Sequence, residues 1–312
     1  MGKGVSILGI FVADTAYLAA RLPVVGETIT GSGFSVGPGG KGSNQAVAAA
    51  RAGAGAGEAA NVSFISKIGR DTFGDLALKT YAHAGVLPKL TVMDNQPTGA
   101  AFIYVNDKTG DNAIIVYPGA AGTITIEDVE AARQTIETSA IFVTQLEQPA
   151  EAAHHGLMIA RKAGVTTIFN PAPAEPFPEA IYPLCDYIIP NETEAAALVG
   201  FPLDTIDDAK RAGDVLLERG VGTAIITLGS RGVLFHSPDC SVAVPAIAAG
   251  PVIDTTGAGD AFVGGFAAAL ADGFTPLDAV RFGCATAGIA VTRRGTAPAM
   301  PERSEIEALL RR

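Results

Sequence analysis

The chain lacks an excess of positive charge: 22 Lys+Arg stand against 32 Asp+Glu, a formal net charge of −10. That balance argues against nucleic acid or an anionic membrane surface as a main partner, since both are held by clustered Lys and Arg. Any anionic ligand must find a local positive pocket. Cysteine is scarce. Cys185, Cys240 and Cys284 show no C-x-x-C spacing, which speaks against a disulfide framework or a zinc site and for a reducing cytoplasm. The four histidines, His83, His154, His155 and His236, form no metal-ligand spacing, and the adjacent pair reads as solvated on a helix. No apolar run reaches signal-peptide or membrane-span length, because Asp14 interrupts the segment Val5–Val12 that follows Met1-Gly2-Lys3-Gly4. A soluble, unprocessed protein is expected, and no internal repeat is present.

What is there suits one large α/β body. The 312 residues are 48% hydrophobic, enough to fill a sizeable core. Short β-branched runs (Val5–Val12, Asn61–Ile68, Ala140–Gln145, Thr166–Phe169, Tyr187–Ile189, Ala224–Leu228) read as strands. They alternate with helical patterns at Gln45–Ala52, Phe73–Ala84, Glu127–Thr138, Pro149–Ala163, Glu192–Leu198 and Asp207–Arg219. The alternation predicts a doubly wound, mostly parallel sheet flanked by helices, with active-site residues near strand carboxyl ends; Asp14, Glu147, Asn170, Asn191 and Gly229 meet that condition. Two stretches, Glu27–Val36 and Gly99–Tyr117, are strand-like with no helix between. Asn106-Asp107-Lys108-Thr109-Gly110-Asp111 is a hairpin signal between Ala101–Val105 and Ala113–Val116. Together they predict a small antiparallel sheet projecting from the body: a lid, a dimer contact or both, or else a plain extension that caps the core. Pro171–Pro178 reads as a surface loop.

The most informative segment is Val252-Ile253-Asp254-Thr255-Thr256-Gly257-Ala258-Gly259-Asp260-Ala261-Phe262. Phe262, Phe266, Ala269 and Leu270 recur at helical spacing, so a helix begins at the small-residue turn, and Gly264 and Gly265 mark places where another backbone can approach. Free N–H groups and the positive end of the helix dipole favour an anion at that turn. A carboxylate at Asp260 would repel a phosphate. It therefore either takes a proton from whatever attacks that phosphate or merely caps the helix.

A second Gly-rich segment, Gly37-Pro38-Gly39-Gly40-Lys41-Gly42-Ser43-Asn44, precedes the helical Gln45–Arg51 and formally matches G-x-G-x-x-G. It does not follow the first core strand, as a dinucleotide fingerprint would. Ser35 and Gly42 also spoil a P-loop. What remains is a backbone able to touch a hydroxyl-rich ligand, with Lys41 and Asn44 as donors, or a structural turn. Asn191-Glu192-Thr193-Glu194 is either a capping box or an oxygen station for Mg²⁺ and phosphate. Thr227-Leu228-Gly229-Ser230-Arg231-Gly232 either lies along a nucleotide or turns a hairpin into Val233–His236.

Taken together, Gly39-Gly40-Lys41-Gly42-x-Asn44, Asn191-x-x-Glu194 and Asp254-Thr255-x-Gly257-Ala258-Gly259-Asp260, in that order, resemble the ribokinase family of sugar kinases. The likeness spans essentially the whole chain, including Pro23-x-x-Gly26-Glu27-Thr28, Gln145-Leu146-Glu147, Asn170-Pro171-Ala172-Pro173 and Val291-Thr292-Arg293-Arg294-Gly295. It implies a single ribokinase-like domain over residues 1–312, with a β lid from about 13–38 and 98–118 that pairs with a second lid in a homodimer. The implied reaction is ATP-dependent phosphorylation of the primary hydroxyl of a pentose, D-ribose to D-ribose 5-phosphate, with 2-deoxyribose or a nucleoside as the alternative acceptor. Carried onto matching positions, Asp14, Gly40, Lys41, Gly42, Asn44 and Glu147 would hold the sugar. Asp260 would be the general base, above an anion hole at Gly257, Ala258 and Gly259. Asn191, Glu194, Thr227, Leu228, Gly229, Ser230, Arg231, Gly232, Gly259 and Cys284 would face ATP and its Mg²⁺. K⁺ would sit against Asp254, Thr256, Ala290, Arg293, Gly295 and Ala299.

Three positions depart from the family pattern. Val12 stands where an Asn helps bind sugar hydroxyls, Cys284 where His or Asn is usual near the adenine, and Ala299 where a hydroxyl is common near the cation. Two other classes fit parts of the chain: an NAD-dependent oxidoreductase, which leaves Asp260 unexplained, and a non-catalytic sugar binder, which has no use for a base.

Overall fold

The computed structural model describes residues 4–53 and 62–312; the amino-terminal Met1–Lys3 and Asn61, the first residue of one expected strand, lie outside the described residues. In chain order the strands are β1 (Val5–Leu8), β2 (Val12–Ala19), β3 (Gly33–Gly39), β4 (Val62–Gly69), β5 (Leu87–Met93), β6 (Thr98–Asn106), β7 (Asn112–Gly119), β8 (Ile141–Thr144), β9 (Thr166–Phe169), β10 (Tyr187–Ile188), β11 (Thr223–Thr227), β12 (Val233–His236) and β13 (Ser241–Val244). The helices are α1 (Lys41–Gly53), α2 (Thr72–Ala84), α3 (Ile126–Ala131), α4 (Arg133–Glu137), α5 (Ala150–Lys162), α6 (Glu192–Val199), α7 (Ile206–Glu218), α8 (Ala258–Ala271), α9 (Pro276–Ala290) and α10 (Arg303–Leu310). No helix among the described residues is long and apolar enough to cross a membrane.

Nine strands form one sheet in the order β13-β12-β11-β10-β9-β8-β1-β4-β5, parallel except where β12 and β13 run antiparallel at one edge. Every residue of β1, β4 and β8 is buried, as a parallel sheet covered by helices on both faces requires. One apolar layer unites α1, α8 and α9 with the sheet and the other unites it with α5. Strand order reverses between β1, which leads on to β4, and β8, which leads on to β9. That is the switch point where open α/β sheets place ligands.

A second sheet, β3-β2-β6-β7, rises from the first. Its hairpin turns at Asn106–Asp111 as expected, but the sheet is mixed, because β2 and β6 pair in parallel from Val12↔Gly99 to Ala19↔Asn106. The strand expected from Glu27 starts only at Gly33. Glu27 is instead held in a turn, its carboxylate accepting from the Val24 N–H at 3.1 Å and from Arg21. The helix expected over Glu127–Thr138 is two short helices, broken where Ala132 N–H bonds the Val129 carbonyl three residues back. His155 is no solvated partner of His154: its Nε2 lies 2.5 Å from Glu130.

Candidate active site

The α8 amino terminus forms one wall. Gly257 takes φ 76° to begin the helix, and Asp260 lies inside its first turn rather than at the cap, so the capping reading of Asp260 does not hold. Gly264 and Gly265 do meet close neighbours. A methyl on Gly264 would lie 2.6 Å from the Gln45 carbonyl oxygen, and one on Gly265 would lie 2.4 Å from Thr286 Oγ1. This close α1–α8 packing brings the first turn of α1 against Asp260. Asn44 Nδ2 donates to Asp260 Oδ2 at 3.0 Å, and Gln45 Nε2 donates to Oδ1 at 3.1 Å.

The Gly-rich segment crosses from β3 into α1. Gly40 has φ 90°, and a methyl there would meet the Ile10 carbonyl at 2.4 Å, so this turn needs glycine. Lys41 N–H donates to Glu147 Oε2 at 2.7 Å. Asp14, on β2, has its carboxylate over Gly39, where a Cβ would come within 2.3 Å of it. Gly42 crosses the chain at Gly9, just past the end of β1, where its own Cβ would come within 2.8 Å of the Gly9 Cα. Val12 is buried in the apolar cluster of Leu8, Ile10, Ile65 and Ala101.

Four acids and one base thus share a small volume. Burial first, then the Asp260 charge, pushes the Asp14 carboxyl up to about 6. Burial pushes Glu147 to about 7, against Lys41 and its backbone donor and with help from Asp260 and Asp14. Burial also raises Asp260, opposed by Lys41, Asn44 and Gln45. Glu194 is raised by burial and Asp260, against the Asn191 N–H and Lys41. Lys41 stays charged: burial works against it, but Asp260, Glu147 and Glu194 hold its ammonium above the usual range. A base of raised affinity beside an obligate cation is an arrangement suited to proton transfer.

Beyond Asp260 opens a cavity of about 150 Å³ lined by Lys41, Asn170, Asn191, Glu194, Thr227, Thr255 and the turn Gly257–Gly259. Asn191 and Glu194 make the full capping box, each side chain accepting from the other's N–H at 2.8 Å, while both still line the cavity. Thr227 reaches the cavity, but the residues after it turn the hairpin into β12. Leu228 is buried in an apolar cluster, and Gly229–Arg231 form a single 3₁₀ turn. Arg231 pairs with Glu192 and the Asp204 carbonyl, and Gly232 packs on Val244. Cys284 is buried in the apolar layer of α9, its thiol pushed up to about 12 by burial, and is not part of the cavity lining.

Below the α8 turn, Asp254 accepts from the Thr256 and Gly295 N–H groups, both at 2.9 Å. Burial raises this carboxyl, but those donors outweigh it and hold it below the usual range. Arg293 pairs with Glu305, and Ala290 and Ala299 are buried beside that loop. Among the described residues no group of three or more His, Cys, Asp or Glu could hold a metal.

Residue reading passed over the buried amides Gln45 and Gln145. The clue lay in polar residues placed where their neighbours, Ala46 to Ala50 and the strand Ile141–Thr144, are apolar.

Fold and site together define an α/β body in which buried acids and a lysine meet a polar cavity at a helix amino terminus. The model of the pfkB family of carbohydrate kinases matches residues 3–303, and the chain belongs to that family. It is 37% identical to a ribokinase of Haemophilus influenzae over 98% of this chain and 97% of that one. It is 32% identical to a deoxyribokinase of Salmonella typhi over 98% of each. The structure of Arabidopsis thaliana ribokinase complexed with ribose and ATP superposes with a TM-score of 0.91 at 30% identity over the whole of both chains. The protein is therefore a sugar kinase of the ribokinase kind, an ATP-dependent phosphotransferase. The dinucleotide reading falls away, since Gly37 and Gly39 lie within β3 of the second sheet and Gly42 in α1, not after a core strand.

Proposed function

We propose that the chain phosphorylates the primary hydroxyl of D-ribose, giving D-ribose 5-phosphate. The observation that carries this is Asp260: buried, fixed through both oxygens by α1, and placed between the Asp14–Lys41–Glu147 group and the cavity at the α8 turn. The sugar lies on the side of Asp14, Gly40, Lys41, Gly42, Asn44 and Glu147, and ATP lies in the cavity with its transferred phosphoryl group against the Gly257–Gly259 amides. Asp260 takes the proton of the attacking hydroxyl, and those N–H groups stabilise charge on the phosphoryl oxygens. The Lys41 ammonium opposes the burial that raises Asp260, and so favours its ionised form.

Glu194 and Asn191, which line the cavity, would hold Mg²⁺ through water, and the ion would neutralise charge on the phosphates. Thr227 and the Leu228–Gly232 hairpin would flank the nucleotide, with Cys284 behind its base. K⁺ would be held at Asp254, Thr256, Ala290, Arg293 and Gly295, an oxygen-rich loop directly under the anion-binding turn, with Ala299 adding no side-chain oxygen.

Residues 1–312 act as one body, with the second sheet, about 13–38 and 98–118, closing as a lid that excludes water. The face of that sheet opposite Asp14 carries Tyr17, Phe34, Phe102, Ile115 and Tyr117, all exposed. An apolar surface of this kind suits a second copy of the chain, making a homodimer through the lids. The cytoplasm, where ATP and phosphorylated sugars occur together, is the proposed compartment.

One observation favours 2-deoxyribose as a second substrate: Val12 presents no polar group beside the sugar wall, and a deoxyribokinase is among the relatives. Substrate-dependent ADP release with Mg-ATP, measured across pentoses, hexoses and nucleosides, tests the proposal. Ribose should stand at or near the top, and a hexose or nucleoside far above it would overturn the reading.

A further inference from the structure

Three buried amides run in a line behind the base. Asn170 Nδ2 donates to the Ile189 carbonyl at 2.7 Å, so its Oδ1 must face the other way, toward Gln45. Gln45 Nε2 donates to that Oδ1 at 3.0 Å and to Asp260 Oδ1 at 3.1 Å. The Gln45 Oε1 left over accepts from Gln145 Nε2 at 2.6 Å. Gln45 and Gln145 are both fully buried. The Gln145 Oε1 at the end of the line has no partner, and it lies where a side chain on Gly9 or Gly42 would have to be, within 2.5 and 2.8 Å of their missing Cβ atoms.

The sense of each amide is therefore dictated by the next. A backbone carbonyl cannot donate, so it turns Asn170; Asn170 turns Gln45; and Gln145 holds Gln45 from behind. If Gln45 flipped, its oxygen would face two acceptors, Asn170 Oδ1 and the Asp260 carboxylate. We infer that Gln45 is a positioning residue for phosphoryl transfer, orienting the Asp260 carboxylate through Oδ1, and that Gln145 and Asn170 fix which end of the Gln45 amide Asp260 meets.

The inference rests on the reading of Asp260 as the base. The groups facing Asp260 are Lys41, which favours its ionised form, Asp14, Glu147 and Glu194, which oppose it, and the donors Asn44 and Gln45. Removing the Gln45 donor leaves Lys41 and Asn44 alone against three acids, so proton affinity at Asp260 rises.

The test uses Gln45→Met and Gln145→Met, near-isosteric changes, in full-length protein. Aspartate carboxyls are labelled with ¹³C and the Asp260 signal is identified by its loss in Asp260→Asn. Gln45→Met should move the Asp260 titration upward, and Gln145→Met, which frees the amide without removing it, should move it less. In kinetics with ribose, Gln45→Met should lower kcat at pH 7 about tenfold, recover toward wild type as pH rises, and leave KM for ATP unchanged. Titration of Asp260 as in wild type in both variants overturns the inference. A shift confined to Gln45→Met keeps Gln45 and overturns the role of Gln145. If Gln45→Met does not fold, the Gln145→Met titration decides. The NMR arm needs no sugar, so a shifted titration with an unshifted rate profile locates the failure in Asp260 as base and not in Gln45.

Discussion

The contact between α1 and α8 should govern stability and catalysis together, and Gly264→Ala isolates it. A methyl there would lie 2.5 Å from Ala48 Cβ, 2.6 Å from the Gln45 carbonyl oxygen and 2.9 Å from the Ala49 nitrogen. None of these is the end of a flexible side chain. Carbon atoms in contact sit about 3.5–4.0 Å apart, so the helices must part by roughly 1 Å. Overpacking of this kind costs about 1–3 kcal/mol. At roughly 2 cal/mol/K of unfolding entropy per residue, a chain of this length should then lose about 2–5 °C of Tm. The same shift stretches the Asn44 and Gln45 bonds to Asp260, now 3.0 and 3.1 Å, past the limit of about 3.5 Å for a useful hydrogen bond. Misplacing a catalytic group by that much costs up to about a hundredfold. Calorimetry and steady-state kinetics should show both losses in Gly264→Ala, with KM for ATP held. Gly250→Ala, whose methyl would meet only Thr292 at 3.5 Å, should show neither. A Gly264→Ala protein with wild-type Tm and kcat would refute the argument that this packing sets the site.

Three further expectations follow from the same geometry. Glu147 and Asp14 have folded-state proton affinities raised to about 7 and about 6 from ordinary carboxyl values. The native state therefore binds more protons than the unfolded chain between about pH 4 and 7, and their contribution to stability is lost as pH rises through that window. Tm of the free protein should be higher near pH 5.5 than near pH 8 on this account, Glu147→Gln should flatten the slope, and an unchanged slope in that variant would remove Glu147 as its source. Val12→Asn should raise the preference for ribose over 2-deoxyribose in kcat/KM by about 1–3 kcal/mol, or 5- to 150-fold, because a buried amide left without its hydroxyl partner penalises the deoxy sugar; a wild-type enzyme that already rejects 2-deoxyribose by orders of magnitude, with the ratio unmoved by the substitution, would show that Val12 does not read the sugar. Adding K⁺ to protein stripped of monovalent ions should raise turnover relative to large organic cations at matched ionic strength, and equal rates would dismiss the Asp254 loop as a cation site.

Much of the body was legible because buried parallel strands read as β-branched runs and their helices as amphipathic stretches; β9, Thr166–Phe169, was bounded to the residue. Strand β5 escaped because it is a mostly exposed edge interrupted by Pro88 and Lys89, and it carries no buried run. The parallel pairing of β2 with β6 joins residues more than 80 positions apart, which no local pattern reports. At the site, the Gly257–Asp260 turn and the Lys41–Asn44 segment were legible locally, since the two lie at the glycine-rich starts of α8 and α1. Position within the helix was not. Asp260 read as a cap or a base, and only the helix start at Gly257 removes the first. Gln45 and Gln145 are separated by a hundred residues, so although each is a polar residue in an apolar stretch, no local pattern joins them. Leu228 and Cys284 differ from these: both side chains are packed in apolar clusters, which their motif positions do not report.

On the proposed mechanism Asp260 moves a proton rather than holding the sugar or the helix. Asp260→Asn keeps the shape and the helix start and removes the base, so single-turnover and steady-state kinetics with ribose and Mg-ATP, alongside calorimetric ribose binding, separate those roles. kcat should fall by about two to four orders of magnitude, with ribose affinity within a few-fold of wild type. Near wild-type turnover in Asp260→Asn, or ribose binding lost in proportion to turnover, would contradict it.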